Sequence, residues 1–282
     1  MVSLKRKGAI LAGGTGTRLM PLTKLINKHL LPVYDKLMVT YPIETLRKAG
    51  VTNICIVTGA KDLSDFRRFV GDGSEYEVKM EYRTQTGPNG LAEAVYKTAD
   101  FFAGQKPIIV LGDDIFTYVN FPIEALSDDN AYAAVTKAEG IGIDPRAVAV
   151  PEFTQSGDIC RVTEKPSNPS SDFMVAGFYI FPNDVFDFIE ELKPSSRGEL
   201  EISDVTNWYA ANGRLKPIYD LEFIADAGSL RSMLEASIWR SKIVSKGSGL
   251  FWFPSRISCI LLPLNTLRTI LFNDISNLIR FA

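Results

Sequence analysis

The stretch that decides the fold reads Lys7-Gly8-Ala9-Ile10-Leu11-Ala12-Gly13-Gly14-Thr15-Gly16-Thr17-Arg18-Leu19, with Lys28 and His29 shortly after it. An apolar run of strand length ends in closely spaced glycines, and the first cation follows at once. Glycine carries no Cβ, so the main chain there can approach a ligand closely. Successive N–H groups in such a turn form an anion-binding concavity, which Arg18 and Lys28 are placed to complete. The segment points to a phosphate-bearing ligand. It is not a Walker loop, because no lysine follows the glycines. It is not the dinucleotide fingerprint either, since Leu19 stands where the third glycine belongs. By itself it also fits an ordinary strand-to-helix turn.

Working outward, residues 53–58 and 107–111 read as further buried strands. Between the strands, 41–49, 63–70 and 91–102 read as helices, with Gly50 and Gly71 as C-terminal stops for the first two. In the second half, strands are expected near 131–137, 159–164, 173–181 and 215–219, and helices at 184–192, 202–212 and 227–245. Alternating strands and helices predict an α/β fold, a single Rossmann-like domain whose mostly parallel central sheet is covered on both faces. A smaller subregion for a second substrate accompanies it. Ligands of such sheets sit at the carboxyl ends of strands, where Gly13-Gly14 and Gly112-Asp113-Asp114 would face one crevice.

The 282 residues are 46% hydrophobic and 23% charged with a net charge of −2, a balance that offers no basic face for nucleic acid. Three well-separated cysteines predict reduced thiols and a cytoplasmic protein rather than a disulfide framework. The single histidine, His29, excludes a His-rich metal centre and leaves no second imidazole for a relay. Metal chemistry would rest on oxygen ligands, hence magnesium or manganese. No signal peptide or membrane span is expected. We divide the chain into a domain over 1–245 and an apolar, proline-interrupted tail over 246–282, expected to pack on the domain or a sister subunit.

Two aspartates carry most of the chemistry. Asp113 follows the apolar run 107–111, and Asp226 lies in Phe223-Ile224-Ala225-Asp226-Ala227-Gly228. A carboxylate just past a buried strand can hold magnesium at the mouth of a sheet, although each could also serve as a turn or helix cap. Lys165, in Glu164-Lys165-Pro166, could meet a second phosphate or pair on the surface.

In order along the chain, these segments resemble the sugar-1-phosphate nucleotidyltransferases. The likeness runs through Leu11–Leu19, Asn27-Lys28-His29-Leu30-Leu31-Pro32, Gly71-Asp72-Gly73-Ser74, Gly90-Leu91-Ala92-Glu93-Ala94, Leu111–Phe116, Glu164-Lys165-Pro166, Arg197-Gly198-Glu199-Leu200-Glu201-Ile202 and Asp226-Ala227-Gly228. The Arg-Gly-Glu-Leu-Glu-Ile run is closest to the thymidylyl branch and the related uridylyl branch. The resemblance implies attack by glucose 1-phosphate on the α-phosphorus of dTTP, giving dTDP-glucose and pyrophosphate, with Mg2+ as cofactor. It assigns Arg18, Lys28 and Asp113 to catalysis, and Asp113 and Asp226 to the metal. The triphosphate would lie on Leu11, Gly13 and Gly14, and the base on Gln85 and Gly90. Ala149, Glu164, Lys165, Val175 and Glu199 fall at positions that bind the sugar phosphate. Family members are commonly homo-oligomers that take part in rhamnose-type or polysaccharide synthesis.

Several positions depart from the family pattern. Val148 and Ala149 replace an aromatic residue and a glycine, and Ile224 replaces a tryptophan. Leu37 replaces a proline, and Asp114 an asparagine. The sugar side is therefore altered while the triphosphate and metal positions are kept. UTP, another sugar 1-phosphate, or a non-catalytic nucleotide-sugar-binding role stand as alternatives.

Overall fold

The computed structural model describes residues 6–87, 89–139 and 143–246. The chain divides into two compact units, Met1–Ile243 and Val244–Ala282. From residue 247 the expected apolar tail lies outside the described residues.

In chain order the elements are β1 (Arg6–Ala12), β2 (Pro32–Val33), β3 (Lys36–Leu37), α1 (Thr40–Lys48), β4 (Val51–Gly59), α2 (Leu63–Phe69), β5 (Lys79–Gln85), α3 (Leu91–Tyr96) and α4 (Ala99–Phe102). Then follow β6 (Ile108–Leu111), β7 (Asp114–Val119), β8 (Ala131–Lys137), β9 (Ala149–Phe153), β10 (Ile159–Glu164) and β11 (Phe173–Ile180). The last are α5 (Val185–Glu191), α6 (Ile202–Ala211), β12 (Leu215–Ile218), β13 (Leu221–Asp226) and α7 (Leu230–Lys246).

A seven-stranded sheet runs in the order β12-β8-β11-β6-β1-β4-β5. β11 runs antiparallel to both neighbours, and the other pairings are parallel. The expected architecture, a mostly parallel sheet covered on both faces, is the one found. Its cause is visible in β1, where successive side chains point to opposite faces. Ile10 and Ala12 enter a core with α1, α2 and the β7–β13 ribbon. Ala9 and Leu11 enter another with α3, α5 and α6. Because both faces are buried, β1, β4 and β6 are continuous apolar runs rather than alternating ones.

The helix expected over 91–102 is instead two. Thr98 Oγ1 donates to the Val95 carbonyl at 2.6 Å, and the chain breaks at Lys97 and Thr98 before α4. A hydroxyl bonded to the preceding turn competes with the helical ladder. Gly50 and Gly71 do end their helices, with φ of 80° and 71°. Six strands were not expected. β5 is a charged edge strand, and β2, β3, β7, β9 and β13 lie outside the main sheet in two-stranded ribbons.

A third core sits under the glycine loop. It gathers Leu19, Leu31, Val33, Met38, Tyr41, Ile115, Ala225, Ala227 and Ala236. Leu19 follows Arg18, Ile115 follows Asp114, and Ala225 and Ala227 flank Asp226. Each charged side chain is thus carried by an apolar neighbour fixed in one cluster.

Candidate active site

β1 pairs with β4 on one side and β6 on the other, so strand order reverses between β1 and β6. Open α/β sheets bind ligands outside the carboxyl ends of strands at such a reversal. The exits of the two strands are tied there, the Gly112 N–H donating to the Leu11 carbonyl at 2.9 Å. A Cβ at residue 112 would lie 2.6 Å from the His29 ring, so glycine is what this approach permits.

Asp113 lies in the link between β6 and β7, and Asp114 begins β7. The antiparallel β7–β13 ribbon sets Asp226 opposite Asp114. The Ala227 N–H then donates to the Asp113 carbonyl at 2.8 Å. These bonds gather three carboxylates whose ligand oxygens lie within 4.8 Å of one another. Asp226 Oδ1 accepts from Gly228 N at 2.7 Å, and Asp114 Oδ2 from Gly177 N at 2.6 Å. Asp226 is not the cap of α7. Ser229 takes that role by exchanging hydrogen bonds with Ser232.

Two cations face these acids. Lys28 Nζ lies 2.5 Å from Asp113 Oδ2, and Arg18 Nη2 lies 3.5 Å from Asp226 Oδ2. Burial pushes the Asp113 carboxyl up, but the Lys28 ammonium and His29 outweigh it and hold it well below the usual range. Asp114 is pushed well above that range by burial, with Asp226 and Asp113 adding to it. Burial and then Asp113 also raise Asp226, against the pull of Arg18.

His29 is fully buried, and burial lowers its pKa. Its tautomer follows from Asn27. The Asn27 amide nitrogen donates to Asp62 Oδ2 at 2.9 Å and to the Ala12 carbonyl at 3.4 Å. Its Oδ1 therefore faces the His29 N–H at 3.0 Å and the His29 Nδ1 at 2.8 Å. Nδ1 carries the proton, and Nε2 stands 3.8 Å from Asp113 Oδ1.

The donor set suits a hard divalent cation, since the carboxylates supply only oxygen and lie within one coordination sphere of each other. Asp113 and Asp226 are the expected ligands, and Asp114 is an additional carboxylate that the sequence reading noted only as a departure.

Over the same strand ends lies a cleft of about 290 Å3. Leu11, Gly14, Arg18, Lys28, Asp113, Ala149, Glu164, Lys165, Val175 and Asp226 line it together with Val148 and Gly177. Lys165 adopts φ 45°, an uncommon left-handed geometry for lysine, and its N–H donates to the Val148 carbonyl at 3.0 Å. Gln85, Gly90 and Gly13 lie together beside the cleft. Gln85 Nε2 donates to the Gly90 carbonyl at 3.0 Å, and a Cβ at residue 13 would strike Gln85 Oε1.

Glu199 is not part of the cleft lining, and its carbonyl accepts from Ser195 N at 2.8 Å. Its neighbour Leu200 is backbone-bonded to Asn89 at 2.8 Å and Ala92 at 3.0 Å, which clamps the turn carrying Gly90. Ile224 packs against the third core instead of entering the cleft. The Gly71–Ser74 motif is a structural turn, closed by Asp72 Oδ1 accepting from Ser74 N at 3.0 Å. Gly177, Gly228 and Asn27 were missed as site residues, and only the glycines carried a signal, one inside an apolar strand and one beside a carboxylate.

The chain belongs to the Nucleotidyl transferase family, whose model matches residues 7–240 and so spans the strand-order reversal and all three carboxylates. It is 39% identical over 234 residues to the glucose-1-phosphate thymidylyltransferase of Neisseria gonorrhoeae, covering 82% of this chain and 81% of that one. It is 38% identical over 237 residues to the enzyme of the same name from Mycobacterium tuberculosis (strain ATCC 25618 / H37Rv), covering 82% and 81%. Among solved structures, a candidate glucose-1-phosphate thymidylyltransferase of Bacillus anthracis in complex with a sucrose superposes with a TM-score of 0.73 at 34% identity, covering 87% of this chain and 97% of that one. A UDP-glucose pyrophosphorylase complexed with UDP-glucose shares the fold, with a TM-score of 0.70 at 24% identity over 84% of this chain and 99% of that one. No described helix is long and apolar enough to cross a membrane.

Proposed function

We propose that the protein transfers a thymidylyl group from dTTP to glucose 1-phosphate, releasing pyrophosphate and forming dTDP-glucose. The observation that carries this reading is the pairing of Lys28 with Asp113 and Arg18 with Asp226 at the β1–β6 reversal. The relatives' names supply the nucleotide and the sugar.

In the reaction, a phosphate oxygen of the sugar 1-phosphate forms a bond to the α-phosphorus of the triphosphate. The bond from that phosphorus to the bridging oxygen breaks, and its electrons leave with pyrophosphate. The attacking oxygen is already anionic, so no general base is required, and positioning with charge neutralisation does the work. That agrees with a chain whose single histidine is fully buried.

Arg18 and Lys28 exchange their carboxylate partners for phosphate oxygens. Lys28 neutralises charge developing on the α-phosphate and leaving group, as preorganised cations do. Lys165 meets the phosphate of the sugar, and Glu164 and the main chain near Ala149 meet its hydroxyls. Gln85 and Gly90 read the base. Magnesium held by Asp113 and Asp226, with Asp114 beside them, would supply Lewis-acid charge stabilisation to the phosphates.

Val148 and Ala149 line the cleft, which favours a second reading in which the acceptor is a different sugar 1-phosphate. One experiment separates the two. Pyrophosphate release is measured with magnesium, using dTTP or UTP against a panel of sugar 1-phosphates. Turnover with dTTP and glucose 1-phosphate supports the first reading, and turnover only with another sugar supports the second. Silence across the panel from folded protein that still binds nucleotide overturns both. Asp113→Asn should lower turnover by about a thousandfold or more, the scale of losing a preorganised charge partner.

A further inference from the structure

Gln85 is buried, with 7% of its surface exposed. Its amide nitrogen makes two bonds, one to the Gly90 carbonyl at 3.0 Å and one to Glu93 Oε2 at 2.8 Å. Neither partner can donate, because an ionised carboxylate and a carbonyl only accept. If the amide turned over, Gln85 Oε1 would face both of them. Its orientation is therefore set, and Oε1 points to the Gly13 side, where an added Cβ would collide with it. Among the described residues, no donor reaches this oxygen. Oε1 is thus the accessible end of a largely buried side chain beside the glycine loop, placed to accept an N–H from a ligand.

We propose that Glu93 is a specificity-determining positioning residue, which fixes the Gln85 amide so that the site presents an acceptor and selects a base carrying a ring N–H. This rests on the reading of Gln85 and Gly90 as the base site. Thymine and uracil carry a hydrogen on N3, whereas cytosine presents a lone pair there and would meet Oε1 acceptor to acceptor. A site built around one hydrogen bond rejects the partner that cannot make it. Glu93 is itself held in place, lying 3.5 Å from Lys97 one turn along α3. The arrangement accepts thymine and uracil alike, so discrimination at the C5 methyl falls to other groups.

The test compares calorimetric dissociation constants for dTDP and dCDP, with pyrophosphate as a probe that has no base. Glu93→Leu should reduce the preference for dTDP over dCDP by about tenfold, leaving pyrophosphate affinity unchanged. Glu93→Gln, which can still offer an acceptor, should keep most of the preference, and Glu93→Ala serves if the leucine variant does not fold. A Glu93→Leu protein that weakens for both nucleotides equally, or keeps the full preference while Gln85→Leu loses it, overturns the proposal. If Gln85→Leu itself keeps the preference, the base site lies elsewhere, and the reading beneath the proposal fails with it.

Discussion

Asp226 is the register partner of Asp114 across the β7–β13 ribbon, and the Asp113 carbonyl accepts from the N–H of Ala227. Carboxylates from distant parts of the sequence therefore meet through main-chain bonding, with Asp113 facing Lys28 and Asp226 facing Arg18. Like charges so close would repel strongly in a buried setting. Lys28 and Arg18 offset that repulsion before any substrate arrives.

Gly228 keeps this arrangement open. A Cβ there would lie 2.6 Å from Asp226 Oδ1, 2.7 Å from Arg18 Nη2 and 2.9 Å from Asp113 Oδ2. Gly228→Ala should displace Arg18 and lower kcat/KM for the nucleotide by about tenfold, a loss typical of misplaced groups. Thermal unfolding should barely change. Steady-state kinetics beside a melting curve checks both.

Ala149 begins β9, opposite Glu164, and lines the cleft with Val148. Ala149→Gly removes one methyl from the acceptor wall. It should raise kcat/KM for glucose 1-phosphate by up to about tenfold, the usual worth of one carbon in a pocket. A fall in that rate would mean that the methyl packs against the natural sugar.

Gly90 adopts φ 98°, and a Cβ on it would sit 2.7 Å from Leu200 N, in contact with other Leu200 backbone atoms. Gly90→Ala forces a left-handed alanine against an unyielding main chain. It should destabilise the fold by about 1–3 kcal/mol. Calorimetric melting, with nucleotide affinity measured alongside, reads the damage to the clamp.

Asp128 accepts from Tyr132 OH at 2.6 Å, Asn130 Nδ2 at 2.8 Å and Lys106 Nζ at 3.0 Å. Burial works against its charge, but these donors outweigh burial and hold the carboxyl down at about 2. A depressed folded pKa stabilises the protein above the unfolded value, and that contribution fades as pH falls through the folded one. Asp128→Asn should therefore lower the melting temperature at neutral pH. The gap to the wild type should narrow on acidification from about pH 4 to about pH 2, the interval between the unfolded and folded values.

How much of this was legible in the sequence depends on where each element is buried. β1, β4 and β6 announce themselves because both faces of the sheet are covered. β7 and β13 do not, since Thr117, Tyr118 and Glu222 break the apolar pattern and the pairing joins segments far apart in the chain. Arg18, Lys28 and Asp113 were readable from the loop and strand ends alone. Gln85 and Gly90 were legible only through resemblance, because nothing local marks a strand-end glutamine as a reader of bases. Glu93 stood in the sequence only as a member of the Gly90–Ala94 segment, since its bond to Gln85 exists only once β5 and α3 have docked.

All seven strands of the large sheet are complete by Ile218, yet the third carboxylate of the cluster does not arrive until Asp226, at the end of the ribbon that follows. The cluster is thus completed only after the sheet that supports it. A ribosomal product released short of residue 226 would carry all seven strands of the large sheet but only two of the three gathered carboxylates.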